Sequence, residues 1–274
     1  FNLEKNKYFD FTTPYGYGGW LIEGDGDLSD LMNEYSDWCN SNNIISEVIR
    51  FHPVLANQEK VRKEYDVMDL GKTIAMDLKD EETIWANITS KNRNIIRKAI
   101  KNNVVVKKDN SKDSMMIFKD IYNQTMDRDN ADEYYYFKDE FYNSILNDLK
   151  DSFDLYYAQF EDKIIAASIV LKSNKYLSYH LSGSLREYGS LAPTNLLLYE
   201  VAKWGSNNGY KTLHLGGGVG SREDNLYNFK KAFNRNDGYQ YSIGRKIFNK
   251  EIYDYLVSLR TDNLRDNFFP LYRA

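Results

Sequence analysis

The most constraining stretch of the 274-residue chain runs from Phe153 to Gly218. Three segments rich in β-branched and aromatic residues, Phe153–Phe160, Lys163–Leu171 and Lys175–Leu181, are separated by Glu161-Asp162 and by a connection holding Ser173 and Asn174. Connections this short leave no room for a crossover, so the spacing predicts a three-stranded antiparallel meander. Pro193–Asn207 then reads as a helix, with proline in the first turn and Gly209 beyond its end. Thr212–Leu215 reads as a further strand, closed by Gly216, Gly217 and Gly218. Glycines at a strand's C-terminal edge permit positive φ and close approach of backbone to a ligand. Ligands of α/β proteins gather at such edges.

The flanking sequence supplies further elements. Helical spacing of apolar residues predicts helices over Leu28–Ser41, Asp80–Lys101, Ser111–Asp127, Lys138–Leu149, Asn225–Phe233 and Lys250–Leu259. Strands are predicted at Ile44–Phe51, Val104–Val106 and Tyr239–Ile243, with a strand or hairpin around Gly71 in Val67–Leu78. Phe9–Trp20 reads as loop, since one proline and three glycines interrupt its aromatics. The basic helix ends near residue 102, where a new β–α–α–β–β–β–α–β unit begins. That point is the expected boundary between residues 1–101 and 102–274.

Composition narrows the function. A net charge of −4, with 36 basic and 40 acidic residues interspersed, gives no global field for nucleic acid. Cys39 is the single cysteine, and His52, His180 and His214 lie far apart, so no metal site is expected. No apolar run reaches about 18 residues, so no membrane span is expected. Phe1–Trp20 lacks a basic start followed by an apolar stretch, and a cytoplasmic location follows as the default expectation.

The order strand, two helices, three-stranded meander, helix and strand resembles the GNAT acyltransferase fold. The segments resemble most closely its Fem-type branch, the peptidoglycan-bridge aminoacyltransferases and their relatives. The matching stretches are TPYGYGG (13–19), VIRFHPVLAN (48–57), SKNRNIIRKAIKNNV (90–104), IYNQTMDRDNADEYYYF (121–137), HLSGSL (180–185), LHLGGG (213–218) and LYNFKKAF (226–233). They follow the family's order along nearly the whole chain. The resemblance implies an α/β (α+β) protein of two tandem GNAT-like halves. Each half would be a mixed, mostly antiparallel sheet flanked by helices, the first lacking its opening strands. It implies acyl-CoA or aminoacyl-tRNA as co-substrate, with no permanently bound cofactor. The acceptor would be an amine on a nucleotide-sugar, lipid-linked sugar or muropeptide, and tRNA a partner where it is the donor.

The same resemblance distributes roles. Lys230, in Phe229-Lys230-Lys231-Ala232-Phe233, would stabilise a developing oxyanion at the donor end, beside Phe229. By spacing alone it reads as a surface lysine between two core phenylalanines. Tyr227 shares its face and would donate to the leaving group, or pack as a rim tyrosine. His180 would serve the amine as a base, or bond within the sheet. Gly216, Gly217 and Gly218 would line the donor site. Arg186 begins Arg186-Glu187-Tyr188-Gly189-Ser190-Leu191, which matches two anchors of the family's pyrophosphate motif and places Leu191 where the last small residue belongs. Arg50, His52, Tyr15 and Tyr17 in the first half, with Arg222 in the second, would hold the phosphate-bearing acceptor. A non-catalytic sugar- or peptide-binding module of the same fold is the alternative.

Overall fold

The computed structural model describes residues 1–3, 6–260 and 268–274. In chain order its elements are β1 (Asn2–Leu3), β2 (Asn6–Lys7), β3 (Phe9–Thr12), α1 (Ser29–Ser41), β4 (Ile44–Arg50), β5 (Asp66–Asp77), α2 (Glu81–Asn87), α3 (Ser90–Lys101), β6 (Val105–Lys108) and α4 (Lys112–Arg128). They continue with α5 (Asp139–Asp148), β7 (Phe153–Phe160), β8 (Lys163–Ser173), β9 (Tyr176–Ser184), α6 (Pro193–Asn207), β10 (Thr212–Gly216), α7 (Asn225–Lys231), β11 (Tyr239–Ile247) and α8 (Lys250–Ser258).

These elements form two compact units, residues 1–72 with 239–274 and residues 73–238. The 101/102 point lies inside the second unit. The reason is packing: α3 turns Ile96 and Ala99 into the same core that receives Leu197 and Val201 of α6.

In the first unit the strand order is β3-β4-β11-β5, taking β5 only before Thr73. β4 pairs parallel with β3 and antiparallel with β11. Met32 of α1 packs with Ile49 and Phe51, and Tyr253 and Leu256 of α8 pack with Ile45. The segment read as loop from Phe9 thus begins with a four-residue strand.

In the second unit the order is β5-β10-β9-β8-β7-β6, with β5 entering from Thr73. The predicted meander is present as β7, β8 and β9, all antiparallel, and β10 joins β9 in parallel. β8 is covered on both faces, which explains its apolar run. Ala166 and Val170 face one core with α6, while Ala167 and Ile169 face another with Phe118 of α4.

The helix expected over Asp80–Lys101 is two helices. Ile88 is extended, and Thr89 caps α3 by accepting from the Asn92 amide at 3.4 Å. Arg93 then donates to the carbonyls of Trp85 (3.1 Å) and Ile88 (3.0 Å), closing the end of α2. Arg97 lies over the Trp85 ring at 5.1 Å. The residues between 67 and 78, read as strand or hairpin, form the single strand β5.

α4 lies directly on β9. A Cβ at Gly183 would stand 2.8 Å from the Ile121 carbonyl oxygen and 2.8 Å from the Tyr122 Cα, both backbone atoms. Gly183→Ala is expected to destabilise the protein by about 1–3 kcal/mol, the usual range for overpacking. Urea denaturation measures this, and an unchanged midpoint would show that α4 can retreat without penalty.

Candidate functional site

The parallel pairing of β9 with β10 is short. It covers Tyr176–Ser178 against Thr212–His214 and then stops. Beyond that point β9 continues against β8 alone, and a bulge occurs there. Tyr179 pairs with Val170 and Leu181 with Ile169, so His180 is the inserted residue. A bulge re-aims side chains, and this one falls where the two central strands part. Burial pulls the His180 imidazole down to about 4, so it is neutral at physiological pH.

On the other strand, β10 ends in the glycine turn. Gly216 has φ +83°, and Gly220 and Ser221 are also left-handed at +59° and +61°. Gly218 is required for another reason. A Cβ there would stand 2.1 Å from the Arg222 carbonyl oxygen and 2.3 Å from Asp224 Oδ1. Asp224 gathers this turn. Its Oδ2 accepts from the Val219 amide at 3.0 Å and its Oδ1 from the Tyr227 amide at 2.8 Å, capping α7. Those bonds hold its carboxyl below the usual carboxylate range, the Tyr227 amide contributing most.

α7 carries Lys230 back to the turn. The side chain is buried, 8% exposed, and Nζ donates to the Gly217 carbonyl at 2.6 Å. Burial pulls the ammonium down to about 8, against the opposing pull of Asp224. Tyr227 is buried in the main core, and burial pushes its phenol up, with Glu223 and Asp237 adding to the shift. Phe229 packs edge-on against Phe233 at 5.4 Å. The structure therefore joins Lys230 directly to Gly217, while Asp224 ties the turn after Gly218 to the Tyr227 amide. The surface-lysine reading of Lys230 does not hold.

Other expected residues stand apart from that cluster. Arg186 is exposed at the start of a 3₁₀ turn spanning Arg186–Leu191, and Arg222 is exposed after the glycine turn. Leu191 packs against the main core. His214 is buried, with Nε2 2.9 Å from Thr73 Oγ1, which fits a satisfied core histidine.

The first unit brings its own expected residues together. The Tyr17 ring meets His52 at 5.8 Å and Tyr241 at 5.4 Å, both edge-on. Burial pushes the Tyr17 phenol up, with Tyr241 and Tyr15 adding to the shift. Arg50 Nη1 donates to Thr12 Oγ1 and to the Thr13 carbonyl, each at 3.1 Å, and its charge acts on Tyr241. The His52 amide donates to Asn57 Oδ1 at 2.8 Å, and burial pulls its imidazole down. Sequence reading missed Tyr241, which is far away in the chain. It also gave Asp224 no role, although an aspartate immediately before a helix is a capping signal.

Among the described residues no group of His, Cys, Asp and Glu could hold a metal ion, and no helix is long and apolar enough to cross a membrane.

A family model for the acetyltransferase (GNAT) domain matches residues 90–231, just over half of the chain. The chain belongs to the GNAT acyltransferase family. The matched span runs from α3 through α7 and holds the parted strands, the glycine turn and Lys230. Among solved structures, FemX is similar with a TM-score of 0.65 at 12% identity, covering 83% of this chain and 78% of that one. The L-PGS structure from Bacillus licheniformis gives 0.57 at 13% identity, covering 78% and 71%. A conserved protein of unknown function from Bacteroides thetaiotaomicron gives 0.59 at 12% identity, covering 81% and 77%. At these identities the likeness is one of fold. A comparison with curated proteins found no match.

Neutral His180 couples stability of this GNAT protein to pH. The unfolded imidazole binds its proton near pH 6.5, whereas the folded one does so only near 4. Between those values the unfolded state holds more protons, so stability falls as pH falls. His180→Gln is expected to lose less stability than the parent from pH 6.5 to 4 in thermal melts. Parallel profiles for the two proteins would refute this coupling.

Proposed function

We propose that this protein transfers an acyl or aminoacyl group to an amine of a phosphate-bearing cell-envelope glycan or muropeptide precursor. The observation that carries the reading is the buried Lys230 ammonium held on the glycine turn at the end of β10. A cation in a poorly solvated site stabilises charge far more than one in water. The donor is an acyl-CoA thioester or an aminoacyl-tRNA ester, used as a co-substrate.

In the proposed reaction the acceptor amine attacks the donor carbonyl directly. The new C–N bond forms as the carbonyl electrons move to oxygen, and Lys230 stabilises the resulting oxyanion. Collapse of the tetrahedral intermediate expels the thiolate or tRNA oxygen, which takes a proton from Tyr227, and the tyrosinate regains one from solvent. The half-buried, weakly basic His180 accepts a hydrogen bond from the amine and orients its lone pair, and the amine's proton passes to water. Backbone N–H groups of the Gly216–Gly218 turn and Phe229 line the donor end, and Arg186 meets the donor's phosphates. Arg50, His52, Tyr15 and Tyr17 of the first unit are candidates for phosphate and sugar binding, and Arg222 of the second unit is a further candidate cation. Both co-substrates of such a reaction are cytoplasmic, so the proposal places the protein there.

Lys230→Ala is expected to lower kcat about 10²–10³-fold, the range for loss of an oxyanion donor. Because the ammonium is the active form and ionises near 8, kcat should decline as pH rises through that value. Turnover by the alanine variant at the parent's rate would remove Lys230 from the mechanism. Parallel assays with acetyl-CoA and with charged tRNA identify the donor. A tRNA-dependent rate should collapse between 50 and about 200 mM salt, and a thioester-dependent one should not.

A further inference from the structure

The glycine turn and α7 are separated by the polar run Ser221–Asp224, and the Asp224 side chain ties the two together. Its carboxylate spans from the Val219 amide to the Tyr227 amide, using a different oxygen for each. Within the turn it holds, Ser221 keeps a left-handed backbone that a residue with a Cβ seldom adopts, beside Gly216 and Gly220, which adopt it freely. It is also wrapped tightly enough on the carboxylate to exclude any Cβ at Gly218. One residue before that glycine, the Gly217 carbonyl receives the Lys230 ammonium, which arrives from the last turn of α7. The result is a closed ring: turn, Asp224, α7, Lys230, turn.

We propose that Asp224 is the positioning residue of this site, its two carboxylate oxygens fixing the glycine turn to α7 so that the Gly217 carbonyl and the Lys230 ammonium stay in register. The inference rests on the role proposed for Lys230. Without the clamp, Ser221 would be free to leave its left-handed position, and the Gly217 carbonyl would leave the ammonium that it orients.

Asp224 is also the counter-charge of Lys230, and it opposes the burial that pulls the ammonium down. The neighbouring groups do not substitute for it. Lys231 points its ammonium to the Arg235 and Asn236 carbonyls. His214 of β10 bonds Thr73, while Glu223 and Asp237 act on Tyr227. The carboxylate therefore has two separable effects, one geometric and one electrostatic.

The test compares Asp224→Asn and Asp224→Ser with the parent. Each substitute can cap α7 with one acceptor, so both are expected to fold, and each lacks the charge and the second acceptor. The ionisation of Lys230 is read by NMR of reductively ¹³C-methylated protein, its signal assigned through Lys230→Arg. This readout needs no turnover. In both variants the Lys230 midpoint is expected to fall below the parent's, and kcat to fall up to about 10²-fold with KM little changed, as for misplacement of a catalytic group. A merely structural cap would be restored by either substitute, so an unchanged Lys230 midpoint, or an unchanged kcat in folded variants, overturns the proposal. The two readings fail separately. If the midpoint moves while Lys230→Ala retains full activity, Asp224 positions Lys230 and the oxyanion role is the one that falls.

Discussion

The short parallel pairing between β9 and β10 is the constraint on which the second unit's site depends. Two neighbouring strands that remain bonded along their full length leave no room for a ligand between them. Here the ladder runs for three residues and ends at Ser178 and His214. Past that point β9 continues against β8 with a bulge at His180, and β10 turns away through its glycines. Both strands thus place candidate groups where pairing between them has ended. Close packing of α4 on β9 at Gly183 and of α6 on the opposite face keeps the parted strand from closing back.

Lys230 shows how the fold keeps a charge where charge is disfavoured. Burial alone would drive an ammonium towards its neutral form. A 2.6 Å bond to the Gly217 carbonyl and the nearby Asp224 carboxylate offset part of that penalty. The compromise leaves the group ionising near 8, charged at neutral pH yet poorly solvated. A solvated surface lysine would be screened and would contribute little to a transition state. His180 presents the opposite case, since burial leaves it neutral.

The first unit uses other means. Its expected binding residues are aromatic and are assembled edge-on around Tyr17, with Arg50 anchored by Thr12 and Thr13. That anchoring uses one nitrogen of the guanidinium fork. Tyr241 completes this group from the far end of the chain, because β11 pairs with β4 and brings residue 243 opposite Arg50.

The sequence by itself determined the meander, the helix after it, the glycine-ended strand and the order that marks the GNAT family. These follow from local patterns, namely two-residue turns, a proline at a helix start and period-2 or period-3.6 apolar spacing. The resemblance to that family also singled out Lys230, though spacing could not separate a buried lysine from an exposed one. Tertiary structure alone decided the rest. The break between α2 and α3 depends on Arg93 reaching back to close a helix end, and the unit boundaries depend on α3 sharing a core with α6. The roles of Asp224, Tyr241 and the bulged His180 depend on which backbone groups meet across a sheet or a turn. Those meetings are non-local, and a one-residue change in strand register creates or destroys them, so no periodicity in the chain records them.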